Sequence, residues 1–422
     1  MIIQNKKVTV IGLGKSGVAV AQLLAKDGCQ VKVTEIRDQP SVRAQAEELT
    51  EMGIAVELGR HQESFYADAE VIVPCPGVKP DSAPIHWAKR NRIPILSEME
   101  VACRKTSSPI IGITGTNGKT TVTTLVGEVL KSAGKTVKVG GNIGTPLSVF
   151  VEEVAFDQWI VLEISSFQLE YTEQFRPKVA VILNITPDHL DHHKDMEEYF
   201  SMKARITERQ TSDDFLLLNA KDLRLSPLAE KSSARSYFFN DGRDNQYPND
   251  NLKAAALTGK ILGIPEQIIQ KTFSRFKGVE HRLEEVGIRN GVRFINDSKS
   301  TNVDSLRWAL ENVPAPIHLI AGGRDKGGNF SELNPLIREK AKKIVLIGES
   351  AEKLKKIWAG LGIPIKTADS LKSAILFAYQ ETLSGAAVLL SPGCASFDMF
   401  SNYEDRGRQF KQFIHELSTE DI

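Results

Sequence analysis

Residues 112–121 read GITGTNGKTT, the composition of a loop that binds nucleotide phosphates. A β-branched run at 109–114 precedes the loop, and a helical pattern follows it. Glycines let backbone N–H groups approach phosphate oxygens closely. In such a loop Lys119 binds the β- and γ-phosphates, and the Thr120 hydroxyl is a ligand for Mg²⁺. Ile113 stands where the strict phosphate-loop string has its first glycine, so a glycine turn with a surface lysine is the alternative interpretation.

A carboxylate suited to the same metal ion ends a later apolar strand. The segment WIVLEISSFQLE places Glu163 at the carboxyl end of a strand predicted over 159–164. A phosphate loop needs an acid at the end of a neighbouring strand, and carboxylate oxygens are ligands that Mg²⁺ prefers. The alternative is an exposed glutamate at a strand end.

Acidic and imidazole side chains follow the strand predicted over 179–184, in the segment LNITPDHLDHH. Zinc binding is disfavoured because neither a cysteine pair nor the H-E-x-x-H spacing accompanies them. His189 is better suited to orienting a second ion or an acyl group beside a magnesium nucleotide. We interpret His192 and His193 as solvated.

The next predicted helix carries a lysine on its apolar face. Asp195 as N-cap and Glu198 three residues later form a capping-box pattern. Lys203 lies on the apolar stripe of this helix, where a cation is costly unless it is paired or chemically altered. A side chain that reaches solvent at the helix rim is the alternative. The other members of the stripe are Met196, Tyr199, Phe200 and Ile206.

A second glycine loop, GLGKSG at 12–17, lies between a short strand and a helical run. This G-x-G-x-x-G string is a dinucleotide fingerprint, and Glu35, roughly 20 residues on, stands where a ribose-binding acid belongs. An NAD-dependent oxidoreductase is therefore one candidate class, although a dehydrogenase has no use for the phosphate loop and Glu163. A nucleotide-binding regulator is another.

The elements that position these residues indicate α/β domains with mainly parallel sheets, because β-branched runs alternate with helical patterns. The chain of 422 residues is too long for one core. We predict three domains, 1–96, 97–279 and 280–422, and leave 222–250 unassigned. The predicted strands are 8–11, 31–35, 71–73, a last strand of the first domain within KRNRIPILSEME, 109–114, 137–139, 159–164, 179–184, 215–219, 292–296, 317–321, 344–347 and 388–391.

Composition excludes several classes of protein. Lys+Arg and Asp+Glu are both 53, which argues against a broad nucleic-acid surface. No apolar run approaches ~18 residues, so no membrane span is expected. The N-terminus lacks the long apolar stretch of a signal peptide, and the four cysteines are scattered without a CxxC pair. We expect a cytoplasmic enzyme with reduced thiols, acting as a monomer.

The motifs together resemble a known family. GTNGKTT, GGNIGTPL, LEISSFQLE, DHLDHH and the stripe lysine resemble the central domain of the Mur ligases, which folylpolyglutamate synthase shares. GLGKSG, NDSKSTN (296–302), AGGRDKGGNF (321–330) and SPGCASFDMF (391–400) resemble the family member that adds D-glutamate. The resemblance covers essentially the whole chain. Other peptidoglycan ligases typically have a D-Y-A-H-x-P type motif where this chain has NDSKSTN, and folate ligases lack the first domain.

The resemblance implies a Rossmann-like N-terminal domain, a central P-loop-type ATPase domain with a parallel sheet, and a Rossmann-like C-terminal domain. It implies a ligase of peptidoglycan precursor synthesis that joins D-glutamate to UDP-N-acetylmuramoyl-L-alanine through an acyl phosphate, with ATP as the energy source. Sister ligases that add another amino acid remain an alternative. Catalytic roles are implied for Lys119, Asn142, Glu163, His189 and Lys203.

The family also implies two Mg²⁺ ions and a carbamate formed from CO₂ on Lys203. The implied metal ligands are Thr120, Glu163, His189 and Lys203. The implied ATP contacts are Gly115, Thr116, Asn117, Gly118, Lys119, Thr120, Thr121, Asn251, Arg282, Asp297 and Lys299. The implied contacts of the UDP substrate are Gly14, Lys15, Ser16, Glu35, Ile36, Arg37, Gly77, Asn142, Ser165 and Gln168. The implied D-glutamate contacts are Thr301, Lys326, Ser396, Phe397 and Tyr403.

The D-glutamate set agrees with elementary chemistry, since a dianionic amino acid needs a fixed cation and hydroxyl or backbone donors. We expect PGCAS to begin a helix whose N–H groups bind a carboxylate. Two departures from the family stand out. The Asp-Thr pair expected beside uridine is Glu35-Ile36 here. The H-N-x-x-N pattern before Asn251 is absent, with Pro248 where its first Asn is expected, and 222–250 is some tens of residues shorter than usual.

Overall fold

The structure, a computed structural model, describes residues 3–190, 192–242, 246–380 and 382–417. Chain contacts divide it into two compact units. The first consists of Met1–Ile185 and His192–Phe276, and the second of Thr186–Asp191 and Lys277–Ile422. The first unit contains two sheets and the second contains one, so the α/β prediction is confirmed.

The first sheet has the strand order β3-β2-β1-β4, and all its strands are parallel. Strand β1 is buried from Val8 to Ile11 and β4 is buried throughout. The strands are β1 (Lys7–Ile11), β2 (Gln30–Glu35), β3 (Ala55–Leu58) and β4 (Val71–Pro74). The helices are α1 (Lys15–Lys26), α2 (Pro40–Glu51), α3 (Glu63–Tyr66), α4 (Ala83–Asn91) and α5 (Glu98–Cys103).

The second sheet is also parallel, in the order β10-β9-β8-β5-β7-β6. Its strands are β5 (Ile110–Thr114), β6 (Val137–Gly141), β7 (Trp159–Glu163), β8 (Val179–Ile182), β9 (Phe215–Asn219) and β10 (Arg235–Phe239). Its helices are α6 (Lys119–Ser132), α7 (Leu147–Phe150), α8 (Ser166–Glu170), α9 (Met196–Ala204), α10 (Ser226–Lys231), α11 (Asp250–Ile261) and α12 (Glu266–Arg275). Strand β5 lies between β7 and β8, so the loops after all three strands meet at one edge of the sheet.

The third sheet, in the second unit, has the order β11-β12-β16-β13-β14-β15, with β11 antiparallel to β12 and the other pairs parallel. Its strands are β11 (Glu284–Arg289), β12 (Val292–Asn296), β13 (Ile317–Gly322), β14 (Ala341–Ile347), β15 (Ile365–Thr367) and β16 (Ala387–Leu390). Its helices are α13 (Val303–Asn312), α14 (Asn334–Lys340), α15 (Ala351–Trp358), α16 (Leu371–Tyr379) and α17 (Tyr403–Glu416).

Two expectations about local structure need correction. The last strand predicted for the first domain is absent, because Ile95 forms only an isolated bridge with Ile72. Pro94, which has no N–H to donate, begins this short extended segment. The unassigned stretch 222–250 contains α10 and the edge strand β10. The domain boundaries at 96 and 279 remain predictions.

The four cysteines are free thiols, as expected. No helix in the described part of the chain is long and apolar enough to cross a bilayer.

Candidate functional site

The phosphate loop joins β5 to α6 and depends on two glycines. Gly115 has φ 149° and Gly118 has φ 85°, in the region that side-chain-bearing residues rarely adopt. A Cβ on Gly118 would lie 2.3 Å from Asn251 Oδ1, and one on Gly115 would lie 3.0 Å from the Cβ of Leu183. Both positions therefore require glycine for conformation and for space. The contact also places Asn251, a predicted ATP residue, directly against the loop.

Two lysine side chains meet at the first carbonyl of this loop. Lys119 donates hydrogen bonds to the carbonyls of Gly115 (2.9 Å) and Thr116 (2.7 Å). Lys203 donates to the same Gly115 carbonyl, also at 2.9 Å. Lys203 is only 2% exposed, and its ammonium lies 4.6 Å from the centre of the Tyr199 ring. The alternative of a lysine at the helix rim is therefore wrong.

Three further predicted residues converge beside the loop. The Thr120 hydroxyl donates a 2.6 Å hydrogen bond to Glu163 Oε2, and Asn142 Nδ2 donates to Glu163 Oε1 at 2.8 Å. Glu163 is 2% exposed, so the alternative of an exposed glutamate is also wrong. A hydroxyl and a carboxylate side by side are hard oxygen donors, which fit Mg²⁺.

Side chains that the sequence reasoning missed support the loop. Tyr199 OH is 3.1 Å from the Thr116 hydroxyl. Asn184 Oδ1 accepts from the Asn117 N–H at 2.8 Å, and its amide nitrogen donates to the Asn117 carbonyl at 3.1 Å. The stripe shared with Lys203 could have identified Tyr199. The Thr121 hydroxyl is buried and has no hydrogen-bond partner among the described residues.

The histidine cluster after β8 is divided between the two units. His189, with φ 56°, belongs to the second unit, where its N–H donates to Asp188 Oδ1 at 2.9 Å. Its role as a partner of Lys203 at a metal ion stays a prediction. The interpretation of His192 and His193 as solvated is wrong. Their Nε2 atoms lie 3.1 Å from Glu170 Oε2 and 2.9 Å from Ser166 Oγ, and His193 is 3% exposed.

A cavity of about 200 Å³ in the first unit brings together the N-terminal glycine loop and the residues after β6. Five residues of the predicted UDP-substrate set line it, together with Cys75, Pro76, Gly141, Gly144 and Pro146. The five are Gly14, Lys15, Ser16, Asn142 and Gln168. The side chains of Ser165 and Gln168 also form a reciprocal cap at the start of α8, so their local role is structural as well.

Glu35 is buried and fixes the glycine loop. Its carboxylate accepts from the Leu13 N–H at 2.8 Å and from Arg37 Nε and Nη2 at 2.9 and 2.8 Å. Burial alone would raise the pKa of this carboxyl, but the hydrogen bonds from Arg37 and Leu13 lower it to about 2. Glu35, the residue that would bind ribose in a dinucleotide site, thus already accepts hydrogen bonds from Leu13 and Arg37. Ile36 is 59% exposed beside it, and Gly77, after β4, has φ 93°.

In the second unit, Asp297 follows β12 and is 1% exposed. It accepts from the Leu283 N–H at 3.2 Å and from the Ser391 hydroxyl at 2.8 Å. Burial raises the pKa of this carboxyl to about 6, against the opposing effect of the nearby Arg282 cation. Lys299 donates to the Tyr403 hydroxyl at 3.0 Å, which pairs a predicted ATP residue with a predicted D-glutamate residue.

A second cavity, of about 170 Å³, lies wholly in this unit. Two residues predicted to contact D-glutamate, Thr301 and Lys326, line it. Asp188, Asn302 and Gly393 also line it, and the sequence reasoning assigned none of these to the site. Asp188 and Asn302 belong to the motifs DHLDHH and NDSKSTN, which could have identified them.

The remaining D-glutamate candidates, Ser396, Phe397 and Tyr403, are not among the described residues that line this cavity. The helix expected to begin at PGCAS is absent. The backbones of Ala395 and Arg324 instead exchange two hydrogen bonds of 2.9 Å, which hold this segment extended. Ser396 is buried, and α17 begins at Tyr403 behind the N-cap Asn402.

Comparison with known proteins identifies the class. Three family models match in chain order: the MurD-like N-terminal domain of Mur ligases at residues 6–97, the Mur ligase middle domain at 113–280, and the Mur ligase glutamate ligase domain at 281–394. The chain belongs to the Mur ligase family.

Full-length relatives carry one specific name, UDP-N-acetylmuramoylalanine–D-glutamate ligase. The protein of that name from Koribacter versatilis (strain Ellin345) is 39% identical, with 100% of both chains covered. The one from Acidobacterium capsulatum is 40% identical, covering 98% of this chain and 97% of its own. Among solved structures, the UDP-N-acetylmuramate-alanine ligase MurC from Thermotoga maritima has a TM-score of 0.61 at 19% identity, covering 97% of this chain and 99% of its own. That likeness shows the fold.

Proposed function

We propose that this chain joins D-glutamate to UDP-N-acetylmuramoyl-L-alanine with ATP, yielding the amide, ADP and phosphate in peptidoglycan precursor synthesis. The observation that carries the proposal is the Thr120–Glu163–Asn142 contact at a glycine-lined phosphate loop. Relatives with this named activity match the chain from end to end at 39–40% identity. A dehydrogenase has no use for that arrangement.

The reaction proceeds in two steps. An oxygen of the alanyl carboxylate of the UDP substrate attacks the γ-phosphorus, and the bond from that phosphorus to the β-phosphate oxygen breaks. ADP departs, and an acyl phosphate is formed. The D-glutamate amine then attacks the acyl carbon, phosphate leaves, and the nitrogen loses its extra protons. Both steps gather negative charge, so positioning and fixed cations supply most of the catalysis. We propose that Lys119 and the loop N–H groups bind the phosphates and that Asn142 contacts the acyl phosphate.

The residues beside the loop fit Mg²⁺, which screens phosphate charge when bound. Thr120 and Glu163 would hold one ion, and Lys203 would be a ligand of a second. We further propose that Lys203 is carbamylated: its neutral amine adds to CO₂ and loses a proton, which leaves an anionic oxygen ligand. The shared Gly115 carbonyl supports this, because two ammonium groups at one acceptor repel each other, whereas a carbamate would be attracted to Lys119.

The two cavities support proposed sites for the substrates. The first-unit cavity beside Lys15 and Ser16 is proposed to bind the diphosphate of UDP. Arg37, which donates hydrogen bonds to Glu35, is proposed to contact uridine. In the second unit, Arg282, Asp297 and Lys299 are proposed for adenosine, and in the first unit Asn251 stays a predicted ATP contact. The second-unit cavity beside Lys326 is proposed for D-glutamate, and the protein is proposed to act as a cytoplasmic monomer.

ADP release with UDP-N-acetylmuramoyl-L-alanine, measured with and without D-glutamate, tests the function. We expect release that depends on D-glutamate, together with an amide product. Release with L-alanine, meso-diaminopimelate or L-glutamate but not D-glutamate would move the chain to a sister activity. Micromolar NADH binding without binding of the UDP-sugar would reject the ligase, and ATP turnover without amide would indicate a nucleotide-binding regulator.

A further inference from the structure

The Asp188 carboxylate is held by two side chains of the second-unit cavity. Its Oδ2 accepts from Asn302 Nδ2 at 2.9 Å, and its Oδ1 lies 3.6 Å from Lys326 Nζ. The Asp188 side chain is 7% exposed and that of Lys326 is 22% exposed. The His189 N–H also donates to Oδ1 at 2.9 Å, and His189 Nε2 lies 3.6 Å from Oδ2. Asn302 and Lys326 thus approach different oxygens of one carboxylate, an arrangement suited to any carboxylate of similar reach.

The orientation of the Asn302 amide is fixed by a second contact. Asn302 caps α13, and its Oδ1 accepts from the Ser305 N–H at 2.9 Å. An N–H group can only donate, so the amide oxygen must face the helix and the amide nitrogen must face Asp188. The helix cap thus aims a donor at the cavity next to the Lys326 cation.

We propose that Asn302 and Lys326 form the carboxylate-binding pair for the amino-acid substrate, and that Asp188 fills this pair until a substrate carboxylate displaces it. The inference rests on the proposed function, since it assigns one carboxylate of D-glutamate to the cavity. It adds Asn302 to the binding residues and makes Asp188 an internal competitor. Because a filled pair is unavailable to substrate, the apparent affinity falls by the fraction of molecules in which Asp188 occupies it.

Calorimetric titration of the full chain with D-glutamate, and separately with glutarate, tests this pairing. Asn302→Asp keeps an oxygen cap for Ser305 but replaces the amide donor by an anion, so both ligands should bind at least about tenfold more weakly. Asp188→Asn removes the charge that binds Lys326, so both should bind several-fold more tightly. Asn312→Asp makes the same chemical change at the exposed end of α13, where the amide donates to the Trp308 carbonyl, and should change neither.

Unchanged binding in Asn302→Asp would remove Asn302 from the site. Unchanged or weaker binding in Asp188→Asn would reject Asp188 as a competitor and leave it a structural ion pair. Thermal melting checks that the Asn302→Asp protein is folded, and Asn302→Ser, which retains a cap but has no amide, supplies a second variant expected to lose affinity. Glutarate has the carboxylates of D-glutamate but no amine, so its binding tests the carboxylate site independently of the ligase reaction. If Asn302→Asp binds glutarate more weakly but the parent protein shows no D-glutamate-dependent ADP release, the proposed function is rejected. The carboxylate-binding role of Asn302 and Lys326 is then retained.

Discussion

Lys119 and Lys203 donate hydrogen bonds to the same backbone carbonyl, that of Gly115, each at 2.9 Å. The two lysines are far apart in the chain, on α6 and α9, and one of them is almost fully buried. Two ammonium groups within two hydrogen-bond lengths of each other repel, and the low dielectric of a buried site strengthens that repulsion. A change of charge on the buried Lys203 would remove this repulsion, and a phosphate bound beside the two lysines would offset it.

Lys203→Ala should lower ADP release by at least about 100-fold, because the anionic ligand proposed for a second metal ion is lost. Added acetate or propionate should partly restore the rate by supplying a carboxylate in its place. The exposed Lys194→Ala, just before the same helix, should retain full activity. With ¹³C-bicarbonate, NMR should show a carbamate signal in the parent protein that disappears in Lys203→Ala. A fully active Lys203→Ala, or no such signal, contradicts the carbamate.

The hydrogen bond from Thr120 to Glu163 predicts a magnesium phenotype. Thr120→Val removes the hydroxyl at constant shape, so the Mg²⁺ concentration for half-maximal ADP release should rise about 10- to 100-fold. Thr120→Ser keeps the hydroxyl and should stay close to the parent. Equal magnesium requirements in the two variants would show that Thr120 has no part in metal binding.

Much of this site could be predicted from local sequence. Glycine spacing identified the phosphate loop, the strand-end position identified Glu163, and helical periodicity placed Lys203 on a buried face. Local patterns cannot show which carbonyl that lysine reaches, because its partner is 88 residues away. Nor could they show that Asp188 contacts Asn302, which is 114 residues distant.

The elements that sequence analysis missed are mainly sheet edges. Strands β3, β10, β11 and β15 each pair on one side only, so they need no continuous apolar run to be stable. In β10, for example, exposed and half-buried residues alternate from Arg235 to Phe238, and Phe239 alone is buried. The helix expected at PGCAS failed for a different reason, since the backbone of Ala395 pairs with Arg324 from another loop.

Gly118 offers a test of the phosphate loop that separates backbone strain from contact. Gly118→Ala adds a Cβ that would lie 2.3 Å from Asn251 Oδ1, so ATP should bind at least about tenfold more weakly. Gly134, just after the same helix, has φ 75° with no atom within 4 Å of an added Cβ. Gly134→Ala should therefore cost a similar ~1–2 kcal/mol of stability from strain but leave ATP affinity unchanged. If Gly118→Ala and Gly134→Ala lose ATP affinity equally, the loss comes from reduced stability and not from the contact with Asn251.

The buried Asp297 predicts a pH-dependent stability of the second unit. Its pKa is raised from 3.8 to about 6, chiefly by burial, so the folded state favours the protonated carboxyl. The resulting stabilisation is fully present below about pH 4 and is lost as the pH rises through 6. Asp297→Asn resembles the protonated form and does not titrate. The free energy of unfolding of Asp297→Asn minus that of the parent should therefore increase by about 2 kcal/mol between pH 4 and 7.

Urea unfolding without nucleotide measures this difference. Of the four tryptophans, Trp308 and Trp358 lie in the second unit, so a background with Trp87→Phe and Trp159→Phe reports that unit alone. Other carboxyl groups titrate in the same range, but they are common to both proteins and cancel in the comparison. A difference that stays constant with pH would mean that the pKa of Asp297 is the same in the folded and the unfolded protein. A difference that shrinks as the pH rises would mean that the Arg282 cation outweighs burial.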